Sequence, residues 1–368
     1  MVFCCIYTIF ATGNDNLIMK LHIFNPEHDI ALASNLENFT APHAGRQLRG
    51  DLGWIPAIWA DADDVVLVDD IDYAEKALKK FCANSKMKIN CQFVNQYQLE
   101  QFCFDSIEPW GWDCAIRHFL LRWGASDESV PSLEAVENIR RLSHRRMASE
   151  VLKELRTFGT TGESYCCAAE EAQTMIRRFG HAVLKAPWSS SGRGIRYVDS
   201  ELTFQQQGWL RNVVNSQGAV MVEPYYNKVK DFAVELVSDG KGRVECLGLS
   251  LFHTLNGAYT GNLLATETAK RELLAKYISI ELLDHVITEL CTCLGKRLAG
   301  LYSGPLGVDM MIVSDGDGKP CLLHPCVEIN MRRTMGHVAL SLSPDSDDVK
   351  KVMRITMTDN YKLKINKL

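Results

Sequence analysis

Three residues near the C-terminus and one shortly before them carry the most chemistry for their spacing. In "VEINMRRTMGH", residues 327 to 337, Glu328, Asn330 and Arg332 recur at every second position. On an extended strand that spacing puts the three side chains on one face. Asp309 lies in the apolar run "GVDMMIV", residues 307 to 313, which reads as the preceding strand. The turn-forming "SDGDGKP" separates the two runs, and a hairpin across it brings Asp309 beside that face. The interval is somewhat long; the extra residues fit the turn, with Asp315 and Asp317 as turn formers. Two carboxylates and an amide oxygen make a hard, oxygen-rich set. It suits Mg²⁺, with Mn²⁺ as the alternative ion, because such cations keep water and complete their shell from phosphates. Arg332 suits a γ-phosphate or a developing negative charge. The plain alternative is a solvated strand edge.

A second stretch, "VLKAPWSSSGRGIRYV", covers residues 183 to 198. An apolar strand ends in Lys185, a point charge suited to a phosphate. Ser189, Ser190, Ser191, Gly192 and Gly194 follow, offering hydroxyls and backbone N–H groups with little bulk. Glu223 ends another strand before Pro224, and Asp231 follows eight residues later. An acid at a strand end can accept from an adenine amine or a ribose hydroxyl. Taken singly, the loop is also an ordinary glycine turn and the acids are also surface acids.

Strands and helices must position these groups. Residues 20–24, 64–69 and 89–94 read as strands, with a helix over 73–82 and another over 113–123, the alternation of a parallel α/β layer. The polar, breaker-rich "SDESVPS", 126–132, marks a domain border. Ser143 is expected to cap a helix running to Gly159, and a second helix covers about 168–179. Strands at 181–186, 194–198 and 219–226 follow, with a helix from Ser200 to about 214 between the last two. Strands at about 231–237 and 243–252 flank "SDGKG", and 267–299 is mainly helical. The resulting division is a leader over 1–18, an N-terminal α/β domain over 19–135, a small lobe over 136–218 and a large lobe over 219–368.

The bulk properties exclude several classes. With 368 residues the chain holds roughly two to three structural units. A net charge of −5 argues against coating nucleic acid, while leaving anionic small molecules open. Thirteen cysteines form no CxxC pair, and Cys321 and Cys326 around His324 give only a weak metal signal; reduced thiols in a cytoplasmic protein are expected. "MVFCCIYTIF" lacks a basic leader region and is too short to span a bilayer, and no other run is long enough. Met19 opens "MKLHIFNPEHD" like a natural start, so residues 1–18 read as an over-extended or disordered leader.

The ordered set of a basic helix start, strand lysine, serine–glycine loop, strand-end glutamate, later acid, strand aspartate and E-x-N-x-R resembles the ATP-grasp superfamily over roughly residues 140 to 340. The resemblance implies two α+β lobes clamping ATP and Mg²⁺, after an N-terminal parallel α/β (pre-ATP-grasp) domain. It implies that Lys185 contacts the α- and β-phosphates and that residues 189–194 form a lid. Glu223 and the backbone just after it, at Tyr225, would read adenine, and Asp231 would hold the ribose. Asp309, Glu328 and Asn330 would ligate Mg²⁺, and Arg332 would sit at the transferred phosphoryl group. The family's earlier phosphate-binding lysine is replaced here by Arg145 or Arg146 of "SHRRMASEVL". Most such enzymes phosphorylate a carboxylate and pass the acyl group to an amine, or to a thiol. Small-molecule carboxylate and amine substrates are therefore expected, with a homodimer as a further possibility. Asn25, His28 and Asp29 of "FNPEHD" and His253 and Asn256 of "FHTLNGAYTGN", read as a substrate loop, are acceptor-site candidates. Alternatives are a kinase using His253 or His337 as base, and a nucleotide binder without turnover. His337 is otherwise expected to cap the helix that follows it.

Overall fold

A computed structural model describes residues 19–189, 192–255, 258–314, 316 and 319–368. The chain begins with a layer of β1 (Lys20–Ile23), α1 (His28–Ser34), α2 (His43–Leu52), β2 (Val65–Leu67), α3 (Ile71–Ser85), β3 (Gln92–Val94), β4 (Ser106–Pro109) and α4 (Cys114–Arg122). Its four strands are parallel in the order β3-β2-β1-β4. Val65, Val66 and Leu67 are all buried, the continuous apolar run that a parallel sheet covered on both faces requires.

Two helices follow, α5 (Leu133–Leu142) and α6 (Arg145–Glu154). They precede an antiparallel four-stranded sheet in the order β5-β8-β6-β7, built from β5 (Tyr165–Cys167), α7 (Ala169–Phe179), β6 (His181–Lys185), β7 (Ile195–Asp199), α8 (Phe204–Gln217) and β8 (Val220–Pro224). The rest is β9 (Lys228–Asp239), β10 (Val244–Leu255), β11 (Ala258–Leu264), α9 (Glu267–Leu274), α10 (Ile280–Leu298), β12 (Ser303–Val313), β13 (Leu322–Asn330), α11 (Met335–Leu342), β14 (Lys351–Met357) and β15 (Tyr361–Lys367). Its seven strands form one antiparallel sheet, β13-β12-β9-β10-β11-β14-β15. The fold is thus mixed α/β: one parallel layer and two antiparallel sheets. Among the described residues no helix is long and apolar enough to cross a membrane, and the described cysteines are unpaired.

Several local expectations are corrected. Ser143 does not cap α6; its hydroxyl donates back to Ile139 O at the end of α5, and His144 Nδ1 accepts from Arg146 N instead. Helix α6 ends at Glu154, short of Gly159. Thr203, not Ser200, starts α8, because Thr203 and Gln206 satisfy each other's backbone N–H groups in a capping box. The stretch read as a substrate loop is the β10–β11 hairpin, bulged between His253 and Thr254. His337 is not the cap of α11 but its third residue: Thr334 caps, and His337 Nδ1 accepts from Thr334 N.

The apolar side chains of α5 and α6, among them Ile139, Leu142, Val151 and Leu152, share the core of the large sheet with Phe232, Leu249 and Leu306. The small sheet has its own core around Ile176, Leu184, Leu210 and Val222. Helix α6 is thereby held against β13, the strand that carries Glu328 and Asn330.

Candidate active site

Strands β12 and β13 pair with Asp309 opposite Glu328 and Gly307 opposite Asn330. A register shift between Asp309 and Met311 absorbs the long interval, so the acids still meet. Burial, then the neighbouring Glu328 and Glu235 carboxylates, push the Asp309 carboxyl well above the usual range. Concentrated negative charge of this kind is what a divalent cation offsets. Among the described residues no three His, Cys, Asp or Glu side chains converge tightly enough to hold a metal by themselves. The donor set therefore fits a hard ion that shares its shell with Asn330, phosphate oxygens and water.

The strand pairing of β6 with β8 brings Lys185 Nζ to 2.6 Å from Glu223 Oε2, both residues buried. Ser164 Oγ donates to the other oxygen, Glu223 Oε1, at 3.1 Å. Of the two helix-start arginines, Arg145 turns inward. It is 5% exposed and donates to Ala186 O, to Ser189 Oγ (2.8 Å), to Ser189 O (3.2 Å) and to Glu328 Oε1 (2.6 Å). Arg146 is exposed and reaches Cys166 Sγ. The helical period contains this choice: Arg145 lies three and seven residues before the buried Ala148 and Leu152, whereas Arg146 shares its face with the exposed Glu150 and Lys153.

Arg145 thus joins the root of the serine–glycine loop to the hairpin. The loop root closes on itself: a Cβ at Gly194 would stand 2.3 Å from Ser189 Oγ, and Gly192 has φ +72°. Ser190, Ser191 and Asn256 lie outside the described residues.

Arg332 forms a fork with Asp29 of α1, Nε to Oδ1 at 3.0 Å and Nη2 to Oδ2 at 2.8 Å; Nη2 also donates to Asn330 Oδ1 at 2.9 Å. Burial alone would raise the Asp29 pKa, but the Arg332 guanidinium holds it below the usual range. A cleft of about 500 Å³ gathers these groups. Arg145, Lys185, Ser189 and Gly192 line it, as do Glu223, Tyr225 and Asp231, then Asp309, Glu328, Asn330, Arg332 and Asp29. Asp231 is ion-paired with Lys228, and the exposed Tyr225 meets Tyr197 edge-on at 6.0 Å.

Other candidates fall elsewhere. Asn25 Nδ2 donates to Gly111 O, and His28 Nδ1 pairs with Asp113; both residues are buried inside the N-terminal layer and do not line the cleft. Asn25 Nδ2 and His28 Nδ1 are thus engaged within the layer, and His28 Nε2 is buried without a hydrogen-bond partner. His253 is exposed beside the hairpin bulge and His337 is buried beneath Glu235, so neither proposed base lines the cleft.

Glu235 was not singled out in the sequence. It is 1% exposed and accepts from Thr334 Oγ1 at 2.7 Å, with His337 Nδ1 at 3.0 Å. Strand parity carries the signal: Asp231, Ala233 and Glu235 alternate on β9 and all line the cleft.

No family model matches this sequence and no curated protein matches it. Solved structures do. The biotin carboxylase domain dimer of Hydrogenobacter thermophilus 2-oxoglutarate carboxylase, complexed with MgADP, ADP and bicarbonate, is 14% identical; the match covers 92% of this chain and 74% of that one at a TM-score of 0.50. N5-carboxyaminoimidazole synthetase from Staphylococcus aureus, complexed with ADP, is 11% identical over 95% of this chain and 84% of that one, TM-score 0.49. A protein described as belonging to the ATP-grasp superfamily, from Archaeoglobus fulgidus, is 14% identical over 95% and 99%, TM-score 0.48. At these identities the likeness is one of fold.

Proposed function

We propose that this chain, which has the ATP-grasp fold, is an ATP- and Mg²⁺-dependent ligase that activates a carboxylate as an acyl phosphate for attack by an amine. The observation that carries the reading is the convergence, in one cleft, of three cations with the facing Asp309–Glu328 pair. Its working units are an N-terminal α/β domain over 19–135, a small lobe over 136–218 and a large lobe over 219–368.

Each cation already holds an acid: Lys185 holds Glu223, Arg145 holds Glu328 and Arg332 holds Asp29. Such pairing keeps buried charges compensated before a ligand enters. A triphosphate brings more negative charge and competes for the same donors. Lys185 would move from Glu223 to the α- and β-phosphates, freeing Glu223 to accept from the adenine amine, with the backbone at Tyr225 alongside. Asp231 would accept from the ribose. Arg145 would hand Glu328 over to the cation and keep the loop root at Ser189 closed over the phosphates. Asp309, Glu328 and Asn330 would hold Mg²⁺, which when bound screens the phosphate charge.

A carboxylate oxygen of the acceptor then attacks the γ-phosphorus. The bond from that phosphorus to the β,γ-bridging oxygen breaks, and ADP leaves. The amine attacks the acyl carbon, phosphate departs with the C–O electron pair, and the amine proton is lost. Arg332 stabilises charge at the transferred group, and closure of the loop excludes water that would hydrolyse the acyl phosphate. ADP and bicarbonate in the Hydrogenobacter thermophilus structure support the pairing of a nucleotide with a small acid on this fold. The test is ADP release from MgATP across a screen of carboxylates and amines. A new amide identifies the ligase, a stable phosphate ester would reveal a kinase, and binding without product would leave a nucleotide sensor.

A further inference from the structure

One wall of the cleft is apolar and lies apart from the residues assigned above to nucleotide and metal. Phe24, Leu48, Trp110, Met335 and Ile355 line it. They form one surface: Phe24 and Trp110 belong to the same buried cluster and meet edge-on at 4.9 Å, and Leu48, Met335 and Ile355 pack against that cluster. The wall is assembled from distant segments, the ends of β1 and β4, helix α2, the start of α11 and strand β14.

It also abuts the charged centre. Arg333 N donates to Trp110 O at 2.8 Å, beside the arginine that forks onto Asp29. Asp29 in turn stands five residues after Phe24. The one cleft therefore presents cations, the facing carboxylates with Arg332, and hydrocarbon. A ligand spanning the last two needs an anionic end and an apolar body.

We propose that the carboxylate substrate carries an apolar body, aromatic or branched aliphatic. It rests on the half-buried Leu48, Met335 and Ile355, which the buried Phe24 and Trp110 back, while its carboxylate reaches Arg332 and the charge of the Asp309–Glu328 pair is offset by the Mg²⁺ that pair would hold. This inference rests on the ligase reading above and adds the substrate class. Hydroxyl-rich or dianionic acids would set polar groups against this hydrocarbon, while the neighbouring Ser250, Asn262 and Tyr259 already bond one another.

The test uses the full chain with MgATP and hydroxylamine, which takes the acyl group from an acyl phosphate as a hydroxamate and releases phosphate. Phenylacetate, 3-phenylpropionate and isovalerate are compared with glycolate, glycerate and succinate. At least tenfold higher kcat/KM for hydroxamate formation with the apolar series is expected. Leu48→Ser and Ile355→Ser should cut that preference about tenfold through KM, while titrated MgATP affinity stays as in the parent chain. Both positions are half-buried, so folding survives them more readily than truncation of Trp110. Equal or better use of the polar series, or failure of the apolar acids to bind the MgATP-loaded protein, overturns this inference alone. A chain that binds no MgATP overturns the ligase reading and this inference with it.

Discussion

Arg145 and Glu328 lie 183 residues apart in the chain, and their side chains meet at 2.6 Å across the junction of α6 and β13. The same guanidinium holds Ser189, so one buried arginine links the root of the serine–glycine loop to a carboxylate of the β12–β13 hairpin. Arg145→Ala should therefore do two things. Loss of a buried, multiply bonded cation should cost about 3 kcal/mol in urea unfolding. MgATP affinity, measured by calorimetric titration, should fall at least tenfold, with Arg145→Lys intermediate because it keeps charge without the fork. Unchanged affinity in Arg145→Ala would remove it from the phosphate site.

Glu328 is the other end of that contact. Glu328→Ala should lower Mg²⁺-dependent turnover by about a hundredfold or more, the scale of losing one charge-stabilising group. Stability should fall too, because the buried Arg145 loses its acid, and Glu328→Gln, which keeps an acceptor for Arg145, should limit that loss. Persisting activity at saturating Mg²⁺ would show that the Asp309–Glu328 hairpin is not the metal site.

Lys185 and Glu223 form a buried pair, and breaking such a pair exposes the survivor's full desolvation cost. Lys185→Met alone should destabilise the fold by about 3–5 kcal/mol. The double variant Lys185→Met with Glu223→Gln should recover much of that loss without recovering MgATP binding. In the parent chain MgATP at a hundredfold excess over Kd should add about 2.7 kcal/mol of stability. A double variant still stabilised by MgATP would show that neither residue holds the nucleotide.

His324 provides a pH prediction. It is fully buried on β13 with both ring nitrogens unpartnered, and burial pushes its pKa from 6.5 to about 4, with Lys185 adding in the same direction against Glu223. Between these values the unfolded chain takes up a proton that the folded chain refuses. Stability should fall as pH drops from about 6.5 toward 4, by about 3 kcal/mol from this residue. His324→Leu should flatten that part of the urea midpoint–pH curve. Curves that remain parallel would assign the acid sensitivity to other groups.

Two glycines give opposite expectations from one substitution. A Cβ at Gly336 would fall 1.7 Å from Glu235 Oε1, so Gly336→Ala must disrupt the Glu235–Thr334–His337 cluster. A loss of about 2 kcal/mol or more is expected in thermal unfolding. Gly208 inside α8 has nothing within 4 Å of its would-be Cβ, and Gly208→Ala should stabilise by about 0.5–1 kcal/mol. Tolerance of alanine at 336 would contradict the close seat of Glu235.

Much of the site is legible in local pattern. The shared parity of Glu328, Asn330 and Arg332, the turn chemistry of "SDGDGKP" and the polar loop after Lys185 are short-range properties, and short-range sterics decide them. The same parity would have added Glu235 to Asp231, and the helical period would have chosen Arg145 over Arg146. The departures from that pattern are local too: Ser143 and Ser200 give way to better-placed caps, and the glycines around the β10–β11 pairing mimic a loop.

The amino-acid order alone therefore determined which charged and polar groups share a face, because side-chain direction on a strand or helix follows from backbone geometry. Tertiary structure alone decided what each group faces. Asp29 meets Arg332 across 303 residues, and the apolar wall is assembled from the N-terminal layer and the last third of the chain. Asn25 and His28, adjacent in type and position to Asp29, turn into the layer instead. Those outcomes follow from burial of large apolar surfaces between distant elements, and that energy depends on the packed arrangement, not on neighbours in sequence.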